Sequence, residues 1–334
     1  MTERAVDPEL IAFVVDAGLA PPGAAQTWTP LSGGVSSDIW RLDCAGRSLC
    51  IKRALAQLRV AADWTAPVGR SLYEWRWFET VDALFPGSAP RPVALDEARG
   101  ALAMDFLEPA SHPLWKAQLL AGQVDVAFAA KVGARLGQIH AATARRADIA
   151  ERFATDSYFL ALRLDPYLLA TAERRPEAAG PLRALVERTA GLHLALVHGD
   201  VSPKNILAGP AGPVFLDAET AWYGDPAFDL AFCLNHLLLK RLVVPQGAAA
   251  LAASVEALAE AYFAQADWEP RADLEARAAS LLPGLLLARV DGKSPVEYLT
   301  RDDEKDRVRA AAIPLLLEPV ATLAEVQQRW IATR

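Results

Sequence analysis

The feature that most constrains this 334-residue chain is a change of character near residue 109. Before it, short runs rich in β-branched and aromatic residues (TWTPLSGG, SSDIWRLDCAG, RSLCIKRA) are separated by glycine-bearing turns. That is the pattern of successive antiparallel strands. After it, alanine- and leucine-rich stretches repeat at helical spacing. In VAFAAKVGARLGQIHAAT, Val126, Ala129, Val132, Leu136, Ile139 and His140 fall near one face. Two units are therefore expected: residues 1–108, a small antiparallel sheet with one inserted helix, and residues 109–334, larger and mainly helical. The junction of two such bodies is a natural place for a ligand cleft.

DPELIAFVVDAG reads as a short opening helix, with Asp7 as cap, Pro8 at the first helical position and Gly18 as stop. The inserted helix is expected over SLYEWRWFETVDALF, and PVALDEARGALAMDFLEP supplies two further strands around Gly100. In the second unit, helices are expected around 157–170, 181–190, 227–240, 247–265, 271–282 and 304–329, with Pro283 breaking the apolar run LLPGLLLARV. The fold class is α+β.

Composition excludes several roles. A hydrophobic fraction of 52% with 22% charged residues is globular rather than disordered. A formal charge of −7 argues against a nucleic-acid binder, which needs a basic stripe. Cys44, Cys50 and Cys233 form no CxxC pair, so buried thiols in a reducing compartment are expected. MTERAVDPEL lacks a basic start followed by an apolar core, and no apolar run is long enough to span a bilayer. The expectation is a cytoplasmic protein with no membrane partner; oligomeric state is left open.

The chemistry concentrates in residues 196–220, LVHGDVSPKNILAGPAGPVFLDAET. Two apolar runs each end in an acid, and an asparagine lies between. Phosphoryl transfer needs a carboxylate to orient or deprotonate the acceptor hydroxyl and oxygen ligands for Mg²⁺. Asp200, then Asn205, then Asp217 follow the protein-kinase order of catalytic Asp, metal-binding Asn and metal-binding Asp. A turn or cap role explains any one of them alone; the three together favour the kinase reading. Gly199 stands where protein kinases have arginine. His198 reads as an orienting or packing residue, since no HxxxH or HExxH partner exists. Asp229 is expected to cap the helix FDLAFCLNHLLLK and brace the loop, and Asp225 stays open.

His198-Gly199-Asp200, Asn205 and Asp217, with Tyr223–Ala231 (YGDPAFDLA), resemble the aminoglycoside phosphotransferase and choline kinase superfamily of small-molecule kinases. The resemblance implies a protein-kinase-like bilobal fold, with ATP and Mg²⁺ as cofactors. It runs from about residue 28 to 240. On that template Gly33 and Gly34 in LSGGVSSD would cover the phosphates, with Ser32, Ser36 and Ser37 taking part of the contact; a plain hairpin turn explains the glycines as well. Lys52 stands on the third strand, where it would meet the α/β-phosphates. Its expected partner is Glu74, although Ser71-xx-Glu74 also scores as a capping box and Glu79 is a second option. Met104 and Phe106, in MDFLEP, would join the lobes and meet the adenine.

Asp217-Ala218-Glu219, IKRALAQLRV and the segment near Trp64 resemble the methylthioribose kinase branch, where Glu219 would be a further metal or supporting carboxylate. Asn205 departs from that branch. The implied activity is transfer of the ATP γ-phosphoryl group to a hydroxyl of a small metabolite: a methylthioribose-like sugar, an amino alcohol or an aminoglycoside. The net acidity would suit a cationic acceptor, or would simply serve solubility. The competing readings are a catalytically silent nucleotide-binding pseudokinase, disfavoured because nothing in the set is degenerate, and a metal-dependent hydrolase using His193, His198 and Asp200, which lacks a ligand cluster.

Overall fold

Asp7 opens the chain's first helix, α1 (Pro8–Asp16), by accepting a hydrogen bond from the Glu9 N–H at 2.9 Å, and Gly18 follows it at φ +68°. This computed structural model describes residues 5–21, 23–31, 37–55, 57 and 69–333. They divide into two units, Met1–Glu108 and Pro109–Arg334.

In the first unit, β1 (Gln26–Pro30), β2 (Ser37–Cys44) and β3 (Arg47–Ala54) precede α2 (Arg70–Leu84). They are followed by β4 (Pro92–Asp96) and β5 (Ala101–Asp105). The strands form one antiparallel sheet in the order β1-β2-β3-β5-β4. Alternation assigns the faces. Trp40 and Leu42 of β2, Leu49 and Ile51 of β3, and Ala101 and Ala103 of β5 pack with Leu10, Phe13 and Val14 of α1. Lys52 is offset by one residue from Ile51, so it projects from the opposite face, where α2 packs. Ser71 does not cap α2, because the helix begins one residue earlier. Its hydroxyl instead donates to the Gly100 carbonyl at 2.9 Å, tying α2 to the β4–β5 turn.

The second unit begins with α3 (Trp115–Leu120), α4 (Val126–Thr143), α5 (Ala147–Arg152) and α6 (Asp156–Phe159). A π-helical stretch, Leu160–Leu169, runs on into α7 (Ala170–Arg174), and α8 (Ala179–Ala190) follows. Four short strands then form two antiparallel pairs: β6 (Ala195–Val197) with β9 (Trp222–Gly224), and β7 (Ile206–Gly209) with β8 (Gly212–Phe215). The chain closes with α9 (Ala227–Val243), α10 (Ala248–Phe263), α11 (Arg271–Asp291), α12 (Asp302–Leu317) and α13 (Leu323–Ala332).

Three expectations on helices need correction. The helix expected over 157–170 is mostly π-wound, and it contains Pro166. Pro283 does not end α11, which continues to Asp291. Its flanking Leu281, Leu282, Leu285 and Leu286 are all buried, so burial outweighs the lost backbone bond. The span 304–329 is two helices. Pro319 falls in the break, and the Thr322 side chain caps α13 by accepting from the Glu325 N–H.

Helices α4 and α10 approach closely through Gly133 and Gly137. A Cβ on Gly133 would lie 2.0 Å from the Leu258 carbonyl oxygen, and one on Gly137 would lie 2.7 Å from that of Tyr262. Only glycine allows backbone against backbone here. Gly133→Ala and Gly137→Ala should each destabilise the protein in urea denaturation by about 1–3 kcal/mol, although alanine is the better helix former.

Candidate active site

The loop between β6 and β7 carries Asp200, and its backbone is held from below by one carboxylate. Asp229, fully buried in the first turn of α9, accepts the N–H of His198 at 2.7 Å and that of Gly199 at 2.8 Å. Hydrogen bonds to a charged acceptor contribute about 1.5–3 kcal/mol each. Behind it, His140 Nε2 lies 3.3 Å from Asp229 Oδ2, and His140 Nδ1 lies 2.8 Å from the Tyr262 hydroxyl. The α4–α10 approach thus supports the loop. Asp229 therefore braces it, but does not cap α9. That task falls to Asp225, whose Oδ1 accepts the Ala227 N–H at 3.0 Å while its carboxylate pairs with Arg277 at 3.1 Å.

Gly199 sits at φ +80°, and a Cβ there would lie 2.6 Å from Thr220 Oγ1, so the tight turn into Asp200 requires glycine. The Asp200 N–H donates to His198 Nδ1 at 3.1 Å, which leaves the ring proton on Nε2 to donate to the Leu216 carbonyl at 3.0 Å. Burial holds the ring below the ordinary histidine pKa, against the nearby charges of Asp229 and Asp200. His198 is thus a neutral, two-ended clasp between the loop and the end of β8. His193 lies elsewhere, exposed and paired with Asp156 at 2.7 Å. Among the described residues no group of three or more His, Cys, Asp or Glu is arranged to hold a metal.

Asn205, Asp200 and Asp217 come together through these bonds. Asn205 Nδ2 donates to the Asp200 carbonyl at 3.1 Å, and the Asn205 carbonyl accepts the Leu216 N–H at 2.8 Å. Asp217 follows directly, in the left-handed region at φ +64°. A non-glycine residue there is uncommon and marks a turn shaped for its side chain. Glu219 lies two residues on and is buried.

Two cations that sequence reasoning missed grip Asp200. Its Oδ2 is 3.0 Å from Arg163 and 3.1 Å from Lys204. Burial pushes the Asp200 pKa up, but the Lys204 and Arg163 charges outweigh it and hold the carboxyl well below the usual carboxylate range. Asp200 Oδ1 is buried with no hydrogen-bond partner among the described residues. Lys204 was visible in principle, four residues after Asp200. Arg163 comes from the π-helical stretch, where it also bonds the Gly199 carbonyl, and no local pattern announces it.

In the first unit, Lys52 pairs with Glu74 rather than Glu79, at 2.9 and 2.8 Å to the two carboxylate oxygens, both residues being buried. Ser37 opens β2, buried, with its hydroxyl unpartnered among the described residues. Met104 is buried in β5 opposite Cys50. Phe106 follows that strand, its N–H donating to the Ser48 carbonyl and the Arg41 guanidinium 4.5 Å from its ring. Cys44 and Cys233 are buried as expected, whereas Cys50 is half-buried; desolvation pushes its thiol up to about 12. Ser32, Gly33, Gly34, Ser36 and the Trp64 segment lie outside the described residues.

Residues 27–274 match the model of the APH family, described as "Phosphotransferase enzyme family". Methylthioribose kinase of Yersinia pseudotuberculosis serotype O:3 (strain YPIII) is 25% identical over 255 residues, covering 68% of this chain and 62% of that protein. The same enzyme of Yersinia enterocolitica serotype O:8 / biotype 1B is also 25% identical over 255 residues, covering 68% and 63%. The chain thus spans less than two thirds of the length of the curated relatives it matches. Amicoumacin kinase hAmiN, solved with AMP-PNP, Ca²⁺ and Ami, superposes at a TM-score of 0.60 with 14% identity, covering 97% of each chain. A choline/ethanolamine kinase family protein from Mesorhizobium loti superposes at 0.55 with 18% identity and 98% of each chain. These structural likenesses are of fold: the expected α+β, protein-kinase-like class is the one observed.

Asp229→Asn should destabilise the protein by about 1–3 kcal/mol in denaturant titrations, because an amide cannot accept from both loop N–H groups. Hydrogen exchange at residues 198 and 199 should quicken relative to the amides of β7.

Proposed function

The chain belongs to the phosphotransferase enzyme family, and on that premise we propose that it is an ATP-dependent small-molecule kinase. It moves the γ-phosphoryl group to a hydroxyl of a small metabolite. The observation that carries this reading is Asp200: a buried, ionised carboxylate with one oxygen clamped by two cations and the other lacking a partner among the described residues. A buried acceptor atom without a partner is costly unless something supplies the missing donor. An acceptor hydroxyl is such a donor.

The acceptor oxygen forms a bond to the γ-phosphorus as the bond from that phosphorus to the β,γ-bridging oxygen breaks. ADP leaves, and the hydroxyl proton is released. Because Lys204 and Arg163 stabilise the charged form, Asp200 is a weak base; its work is to aim the hydroxyl. Phosphoryl transfer through a loose transition state asks mainly for positioning and charge stabilisation. Lys52, fixed by Glu74, is assigned to the α/β-phosphates. Ser37 and the glycine turn before it are assigned to the phosphate cover, and the Met104–Phe106 backbone to the adenine.

Asn205 and Asp217 fit a Mg²⁺ ion by chemistry. Both offer oxygen, and the Asn205 amide nitrogen is committed to the Asp200 carbonyl, so its oxygen is the end left to face a cation. When bound, such an ion neutralises phosphate charge. Glu219 is assigned a supporting place beside it. Methylthioribose-like sugars, amino alcohols and aminoglycosides are the acceptor classes that the relatives suggest.

Acceptor-dependent ADP release should fall by about 10²–10⁴-fold in Asp200→Asn and in Lys52→Met, while the folded protein persists by circular dichroism. Equal rates in wild type and Asp200→Asn would overturn the reading and leave a nucleotide-binding pseudokinase.

A further inference from the structure

A second set of buried basic side chains extends from Asp200 into the helical unit, two of them cations and the third, His236, held neutral by burial well below the ordinary histidine pKa. Arg163, which pairs with Asp200, has its guanidinium carbon 5.8 Å from the Tyr167 ring centroid. Arg289 lies 5.4 Å from the same ring and donates to the Tyr167 hydroxyl at 2.9 Å. Phe232 packs on Tyr167 at 5.5 Å and on His236 at 5.5 Å. His236 Nδ1 is 3.5 Å from the Tyr298 hydroxyl, and Lys240 Nζ is 4.6 Å from the Tyr298 ring centroid. Arg289 and His236 are thus each one aromatic ring removed from the Asp200 clamp, and Lys240 lies beyond the Tyr298 ring next to His236.

All three are more than nine-tenths buried: Arg289 at 6% exposure, His236 at 4% and Lys240 at 1%. Among the described residues, Arg289 and Lys240 have no carboxylate within ion-pairing distance, and His236 Nε2 and Arg289 Nε have no hydrogen-bond partner. The nearby Glu297 is already paired with Lys116. Elsewhere in this unit Arg277 is neutralised by Asp225 and Glu269. Burying a cation without its counter-charge costs stability, so a chain that keeps one has a use for it. Burial first, then the Lys116 charge, press Lys240 down to about 7, as expected of an amine waiting for an anion.

We propose that the acceptor carries an anionic group, a carboxylate or a phosphate monoester, held by Lys240, His236 and Arg289 while its hydroxyl meets Asp200; this rests on the phosphotransferase reading above. The charges of Lys240 and Arg289 repel a quaternary ammonium or an aminoglycoside. The net charge of −7 is therefore a poor guide to the acceptor.

The test is a matched panel: glycerate and glycerol 3-phosphate (anionic), glycerol and methylthioribose (neutral), and choline and kanamycin (cationic). Each is titrated by calorimetry against the AMP-PNP-loaded protein, with ADP release measured in parallel with ATP. Wild type should bind an anionic member best. Lys240→Met and His236→Gln should each weaken that binding, and raise its KM, by about tenfold or more with kcat largely kept. Lys240→Met should not lower the melting temperature, since an apolar side chain suits a buried site; a merely structural lysine would leave affinity unchanged. Neutral or cationic members binding as well as anionic ones, or anionic binding unaltered in both variants, would overturn the proposal. ADP release with those members would then leave the kinase reading standing. Variant-sensitive anion binding without any ADP release would keep the anion site and remove the kinase reading.

Discussion

Asp229 is the fixed point on which the rest of the helical unit's site depends. Its carboxylate holds two consecutive backbone amides, and through them it sets where Asp200 projects. A loop with a left-handed glycine at its centre has no regular ladder to define it. The definition comes from outside: Asp229 below, His198 reaching across to Leu216, and Arg163 on the Gly199 carbonyl. The Asp229 and Arg163 bonds are buried and the His198 bond partly so, where a lost partner costs most and a satisfied network is stiffest. The glycine-mediated approach of α4 to α10 belongs to the same construction, since it brings His140 and Tyr262 behind Asp229.

The sequence carried the parts whose physics is local. The short strand-like runs placed Lys52 on the third strand, and Asp7, Pro8 and Gly18 marked α1 because capping acts within a few residues. HGD, Asn205 and Asp217 were legible because their spacing follows the length of a loop and a hairpin. What escaped was set by distance along the chain. Arg163 meets Asp200 from a π-helical stretch whose winding is not written in any short pattern. Gly133 and Gly137 look like two poor helix residues until the backbone of α10 lies against them. Asp229 braces the loop as expected, but the capping bond at α9 comes from Asp225, because an acid near a helix start reads the same whether it caps that helix or reaches to a neighbouring loop. Pro283 was misread as a stop, since burial on every side can outweigh one lost hydrogen bond.

Electrostatics divides the residues into those that stabilise and those that serve. The Lys52–Glu74 and Arg277–Asp225 pairs are neutral as units, and they hold elements together. Among the described residues Lys240 and Arg289 are not compensated in this way, and Asp200 Oδ1 has no hydrogen-bond partner. Such departures from local satisfaction concentrate at sites that bind something. Whole-chain charge hides this, since a net charge of −7 coexists with the buried Lys240 and Arg289.

On the proposed reading Asp200 is an oriented anion held by two cations, rather than a strong base. The most direct measurement is the pH titration of its carboxyl carbon by ¹³C NMR, in wild type and in Lys204→Met. The wild-type carboxyl should stay ionised well below the ordinary carboxylate value of about 4, and its titration should move upward when Lys204 is replaced. A wild-type Asp200 titrating at or above that ordinary value would contradict it.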